Sequence, residues 1–555
     1  MPSDTTESSS FHLLCKASYP AEVSINGKAV KQYQTGIFFD EIQLQEGANT
    51  FVVQAVFPDA SKAQYEHTIT YIPKANNRQP YPLWIDNSSI EPATDQSLLA
   101  DDLIRLRFQG SKGQQAQALI RPGNIRLPFS REDHSDYSLY QADLPLRLLK
   151  PGKASRITLE LDATGPAYKG EKARPPLSAQ LSRKQRHEFP LLRIVEDKAA
   201  LTYNLGPIRL GGPIINELPV GVVLQASGKV GEYYRIRLDE REEGYIHESQ
   251  VEALPEGTVR PGYYLQSVQA RLGENADEVG IPWPEPAPFA IIPLPEENKI
   301  LINLYGVKTS STWMVHHKGL SNIERVDWRQ LSPETYQLIL HLNSSRIWGY
   351  TMEPGEGSLT FRLKHPPKLE PGSLKGLKVS IEAGHGGSNT GAVGLSGLLE
   401  KDVNLDVALR LEKLCQEAGI EVLQVRPEDI DMGLEEKRAL VEASDADLHI
   451  SIHANSGGIN RGYLGVSGVS TYYFNPFWAE FAEVMYGQLL PLGLKEFGVV
   501  GSFNYRVTRL SSRPAILVEQ AFLSHAEDEE KLASEAFRQR MAEGIFQGIV
   551  QYVSR

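Results

Sequence analysis

The sequence predicts a multidomain chain. Mostly-β N-terminal modules, β-sandwiches and a small barrel, precede a C-terminal α/β domain with a mostly parallel sheet and helices on both faces. Three observations predict this. The length of 555 residues exceeds what one hydrophobic core usually serves. Gly 46 and Pro 35 suit a turn-rich, strand-rich chain. Beyond residue 376 the hydrophobic period changes, and strands begin to alternate with helices.

Composition narrows the class. Hydrophobic residues at 41% and charged residues at 23% are ordinary for a folded, water-soluble chain. Lys+Arg 57 against Asp+Glu 69 gives a net charge of −12, without the basic footprint of a nucleic-acid binder or a polybasic run for a membrane surface. No apolar stretch is long enough for a transmembrane helix. The opening MPSDTTESSS lacks the charged region and apolar core of a signal peptide, so the chain is read as cytoplasmic or as one whose signal has been removed. Cys15 and Cys415 make neither a disulfide framework nor a thiol metal site.

In chain order, residues 1–10 read as a disordered tail. Residues 11–72 alternate and read as a β-sandwich of immunoglobulin type, with hairpins at Asn26-Gly27 and at Glu46–Asn49. Residues 73–82 are a linker by their Pro/Asn content, and 83–168 a second β domain. The basic, Pro-containing stretch 169–188 reads as a solvated linker. The order of residues in 189–255, an Ile208-Arg209 run, a turn at Leu218–Gly221, Tyr233-Tyr234 and Gly244-Tyr245-Ile246, resembles a bacterial Src-homology-3-type barrel. That resemblance implies contact with cell-wall peptides. Residues 258–368 carry strands at 299–306, 335–342, 345–352 and 358–364. With Trp348-Gly349-Tyr350, these resemble the AMIN-type envelope-targeting domain. His316 and His317 are neighbours on a strand, point opposite ways and are read as surface residues. Residues 365–376 form a Pro/Gly linker.

The C-terminal domain spans 377–555. LKVSIEAGHGG (377–387) is a strand running into a Gly-rich loop, and 400–419 a helix with Val403, Val407, Leu411, Leu414 and Ala418 on one face. Strands follow at 420–426, 447–455, 469–474 and 513–522, with helices at 434–445 and 475–493. Phe537, Met541, Ile545, Ile549 and Tyr552 form a closing helical stripe. His385, His453 and Glu519 fall at strand ends and Glu400 opens a helix on the same rim, where parallel sheets gather functional groups. Two His and one Glu are a catalytic zinc set that leaves a position for water. A carboxylate after the apolar Ile516-Leu517-Val518 is costly unless paired or functional, which singles out Glu519. His449 shares a strand face with His453 but lies about 13 Å back along the strand, too far to share one metal ion.

HGG at 385–387, LLEK at 398–401, SIHAN at 451–455 and LVEQAF at 517–522 resemble, in order and spacing, the zinc-dependent N-acetylmuramoyl-L-alanine amidases. The resemblance implies one Zn2+ held by His385, Glu400 and His453, with Glu519 as the catalytic acid/base. It implies hydrolysis of peptidoglycan between the lactyl group of N-acetylmuramic acid and L-alanine, and hence a place in the cell envelope, the periplasm or outside the cell. Wall or division-complex proteins are then natural partners. Arg438 sits where the family carries an arginine before the third strand. Glu382-Ala383 replaces the family's Asp-Pro, Asn389-Thr390-Gly391 replaces Asp-Pro-Gly, and His525 stands where Asn is common. Glu382 is expected beside the ligands, and Asn404 and Asn455 are expected to position substrate. The segment 455–470 is too short for the self-blocking helix of some relatives, so an open metal site is expected. Two competing readings are an inactive wall-binding scaffold and a zinc amidohydrolase or peptidase acting on another amide.

Overall fold

The computed structural model describes residues 4–73, 81–165, 168–206, 210–457 and 465–555. Ile208-Arg209 and residues 458–464, within the segment from which an open site is expected, lie outside the described residues.

The first module is two sheets, one of five strands and one of two, closed on Leu13, Phe38, Phe51 and Ile69. The expected tail is partly strand: Asp4–Thr6 pairs in parallel with Ile69–Tyr71 at the sheet edge. Asn26 and Gly27, both at positive φ, turn the expected hairpin. The turn near Gly47 is not a hairpin. Ile37–Gln43 pairs with Ser10–Lys16, whereas Gly47–Val56 pairs with Lys62–Tyr71 in the other sheet. A corner between sheets and a hairpin use the same turn residues.

The stretch 169–188 is not a free linker. Lys172–Ala173 and Leu181–Arg183 both pair with Ala154–Asp162, and Leu181–Arg183 also pairs with Gln96–Leu98. Leu177, Ala179 and Leu181 are buried at a spacing of two. The alternation of apolar residues outweighs the basic composition. Gln96–Leu98 also pairs with Val223–Val230, so the second β domain and the unit 189–255 share a thirteen-stranded sheet. Residues 258–368 form three sheets, of five, four and two strands. There the expected strand 345–352 begins only at Tyr350, and Trp348 packs instead into the C-terminal core beside Tyr552.

The C-terminal domain contains β1 Lys378–Ala383, α1 Glu400–Glu417, β2 Glu421–Gln424, α2 Leu434–Ala443, β3 Leu448–Asn455, β4 Val469–Tyr473, α3 Ala479–Leu489, β5 Glu496–Val500, β6 Ala515–Phe522, α4 Ala526–Ala533 and α5 Glu535–Val553. The sheet order is β2-β1-β3-β6-β4-β5, parallel except where β4 meets β6. Val379, Ile381, Leu448, Ile450, Ile452, Ile516 and Val518 pack with α1, α3 and α5 in one apolar cluster. The alternate residues of the same strands point to the opposite face. They include Ser380, Glu382, His449, Ser451, His453 and Glu519, with Ala515 and Leu517 as the apolar members. The helices are shared unequally. Val441 of α2, with Val425, Phe477, Trp478, Leu510 and Ala515, joins a cluster whose other buried members lie in residues 189–363. The β modules therefore cover much of the face where more helices were expected.

Candidate metal centre

β1 ends at Ala383 and the chain turns sharply. His385 sits at φ 63°, a backbone region that side-chain-bearing residues seldom occupy. Two glycines make room for this turn. A Cβ on Gly384 would run into the His453 imidazole, and one on Gly391 into Glu400 and the His385 ring. Glu400 is the first residue of α1, and His453 lies near the end of β3.

These three side chains converge. One potential ligand atom from each of His385, Glu400 and His453 lies within 4.8 Å of the others. Nε2 of His385 and Nδ1 of His453 are each 3.0 Å from the same Oε1 of Glu400. The two imidazole rings stand 5.0 Å apart at 76°. Each histidine has an oxygen near its far nitrogen: Asn389 Oδ1 lies 3.0 Å from Nδ1 of His385, and Glu382 Oε2 lies 3.8 Å from Nε2 of His453. The Asn389 contact can hold the far proton of His385 and turn its inner nitrogen toward the shared space, as an imidazole ligand of a cation requires, whereas Glu382 is a charged neighbour of His453 beyond hydrogen-bond distance. Two imidazoles and a carboxylate that share one small space fit a divalent metal ion.

The electrostatics agree. Burial opposes ionisation of Glu400, but hydrogen bonds from both histidines outweigh it and hold the carboxyl well below the usual range. Burial lowers the His385 pKa, yet its bond to Glu400 leaves it raised overall. The main-chain N–H groups of Ala392 and Ala454 donate to Glu400 at 2.8 and 3.1 Å. Asn404 donates to Oε1 of Glu400 at 3.2 Å, and Gln520 donates to Asn404 at 3.0 Å.

Glu382 lies behind His453. Its oxygens accept from Lys437 at 2.6 Å and from Ser451. Burial raises its pKa, but the Lys437 ammonium prevails and brings it to about 2. Lys437 also donates to the carbonyls of Ala383 and His385, at 3.1 and 3.0 Å, so one buried cation pins the loop that carries His385. Arg426, fully buried, donates to the carbonyls of Ala383, Gly384 and Lys401. Sequence reasoning missed Lys437, Arg426 and Gln520. A carboxylate at the buried position 382 was the available signal, because it demands a cation.

Glu519 is register partner to His453 on the neighbouring strand, and their side chains leave the sheet on the same side. Asn455 lies apart from the converging donors and donates to the Tyr472 hydroxyl at 3.2 Å. Arg438 faces away from the centre. It pairs with Glu217 of the 189–255 unit and with Glu442. Such an arrangement can hold a cation at the rim of the sheet beside a carboxylate able to move a proton.

Comparison with known proteins gives consistent matches. The sequence profile of the N-acetylmuramoyl-L-alanine amidase family matches residues 379–551. The uncharacterized protein YqiI of Bacillus subtilis is 37% identical over 184 residues, which are 32% of this chain and 86% of YqiI. The N-acetylmuramoyl-L-alanine amidase CwlM of Bacillus licheniformis is 32% identical over 183 residues, 32% of this chain and 68% of CwlM. Among solved structures, the catalytic domain of CwlV, an N-acetylmuramoyl-L-alanine amidase from Bacillus (Paenibacillus) polymyxa var. colistinus, is 36% identical. It aligns over 32% of this chain and 98% of that one, with a TM-score of 0.30.

Proposed function

The chain belongs to the N-acetylmuramoyl-L-alanine amidase family and is an enzyme of that class, and from that premise we propose that it is a zinc-dependent peptidoglycan hydrolase. In this reading it cleaves the amide between the lactyl group of N-acetylmuramic acid and L-alanine of the stem peptide. The observation that carries it is the convergence of His385, Glu400 and His453 on one small space, with Asn389 on the outer nitrogen of His385. His385, Glu400 and His453 would hold the zinc. When bound, zinc supplies Lewis acidity, making water more acidic and an amide carbonyl more electrophilic.

The other roles belong to the chain itself. Glu519 takes a proton from the attacking water and delivers it to the departing L-alanine nitrogen, which an amide needs because its amine is a poor leaving group. Glu382, held by Lys437 and Ser451, keeps the His453 ring turned. Asn404 orients Glu400. Asn455, near the rim, is left for contact with substrate. The enzyme acts in the envelope or outside the cell, where peptidoglycan is. The 189–255 unit is proposed as the Src-homology-3-type barrel and 258–368 as the AMIN-type module, both serving wall placement.

Digestion of purified peptidoglycan followed by mass spectrometry tests this. Expected products are a free lactyl carboxyl and a free L-alanine amine, lost on chelation and restored by zinc. Glu519→Gln is expected to lower kcat by about 10²- to 10⁴-fold with metal content intact. Cleavage of another bond, or activity indifferent to chelation, overturns the reading. An inactive scaffold would bind wall and release nothing.

A further inference from the structure

A cavity of about 340 Å³ lies in the seam between the 189–255 unit and the C-terminal domain. Tyr233, His247 and Gly212 line it on one side, and Asn504, Arg506 and Arg509 on the other. The walls are tied together: the Asn504 amide donates to the carbonyls of Leu210 and Gly212, at 2.8 and 3.0 Å. Tyr505, between two of the lining residues, meets the His453 imidazole edge-on with ring centres 5.9 Å apart. One segment of chain thus walls the cavity and flanks the metal centre.

The charges in the seam are unevenly satisfied. Arg506 pairs with Glu435. Arg509 has Glu217 at 3.9 Å, but both Glu217 oxygens already accept from Arg438. Nε of Arg509 is buried without a hydrogen-bond partner, and the side chain is only 11% exposed. Burial, reinforced by the neighbouring Arg506 and Arg438, brings the pKa of Arg509 down to about 10. Glu196 is the one carboxylate among the described lining residues, against two guanidiniums. A guanidinium in this state lacks what a carboxylate supplies, two oxygens in the plane of its fork. The volume lies at the lower end of small-ligand pockets and suits the end of a short peptide.

We propose that this seam cavity is a subsite for a carboxylate at the far end of the substrate's peptide, recognised by Arg509 with help from Arg506. It rests on the proposed function in taking the stem peptide as substrate, and it assigns the recognition to two domains jointly. Arg509 is four residues from Tyr505, within about 15 Å along the chain. An extended peptide of about three to five residues, at about 3.3 Å each, matches the length of that stretch of chain.

The test uses the full chain and a tetrapeptide that begins with L-alanine, prepared with a C-terminal carboxylate or a C-terminal amide. Calorimetric titration is expected to show the acid binding at least about tenfold more tightly than the amide. The ratio is expected to fall to about one in Arg509→Gln and to recover in part in Arg509→Lys. The corresponding muramyl-tetrapeptides are expected to show the same ratio in KM, with kcat much less affected. Equal affinity of the wild-type chain for acid and amide overturns the subsite, and needs no variant to fold. An unchanged ratio in Arg509→Gln overturns the assignment to that residue. Binding is read without turnover, so failure to cleave the lactyl–alanine bond counts against the proposed function alone.

Discussion

The two faces of the C-terminal sheet are built on opposite principles. One presents Val379, Ile381, Leu448, Ile450, Ile452, Ile516 and Val518 to α1, α3 and α5, an apolar contact made almost wholly within the domain and joined from outside it by Trp348. The other presents Ser380, Glu382, His449, Ser451, His453 and Glu519, and is covered in part by α2 and the β modules. A parallel sheet with helices on both faces usually has nearly continuous apolar strands, because both sides are dry. Here β1 and β3 alternate apolar and polar residues although both strands are buried. A buried polar stripe is costly unless satisfied, which makes this face the one on which the proposed site is placed.

The largest expected effect sharpens the apolar side. Phe481 is fully buried and packs against Tyr552 with ring centres 4.5 Å apart and the rings tilted by 31°. Phe481→Ala is expected to cost about 4 kcal/mol, read from urea unfolding of the C-terminal domain. A loss below about 1 kcal/mol would break the picture of a tightly packed helix face.

The polar side is expected to fail for a different reason. Lys437→Met leaves Glu382 buried without its cation and should cost about 3 kcal/mol. It should also weaken metal binding, because the loop carbonyls at Ala383 and His385 lose their donor. Adding Glu382→Gln should return much of the stability. If the double variant is as unstable as the single, the penalty is lost packing and not an unpaired charge.

A smaller effect belongs to His449, fully buried on the polar face with its Nδ1 2.9 Å from the Ser380 hydroxyl. Burial, with only partial compensation by Glu382, brings its pKa down to about 4. The unfolded chain therefore takes up this proton first, below about pH 6.5. The stability contribution is complete above that pH and is lost as pH falls toward 4, amounting to about 2 kcal/mol by pH 5. His449→Gln should flatten this part of the stability–pH curve. An unchanged curve would mean that the imidazole is not held neutral.

Much of this was legible in residues close in sequence. The Gly-rich turn after β1, the stripe of α5 and the alternation of strand with helix each express a local period or turn chemistry, and the three converging side chains sit at ends those periods define. Two short elements escaped, β5 and α4, because neither is long enough for its period to stand out. Lys437 and Arg426 escaped for another reason. A lysine or arginine on a predicted helix or loop resembles any solvated cation until the fold supplies the buried carboxylate or carbonyls it serves. The seams were the least readable. Arg438 meets Glu217 across 221 positions, and Leu181–Arg183 finds its strand partner at Gln96–Leu98. Composition carries no hint of either pairing, and the basic, Pro-containing character of 169–188 is that of a linker although the segment is built into a sheet.

Metal content of the purified chain, measured by elemental analysis beside His385→Ala and His453→Ala variants shown to be folded, tests the central claim most directly. One zinc per chain is expected in the wild type and a substoichiometric trace in each variant. Full zinc occupancy in both variants, or a wild-type chain that binds no divalent metal when reconstituted, would contradict it.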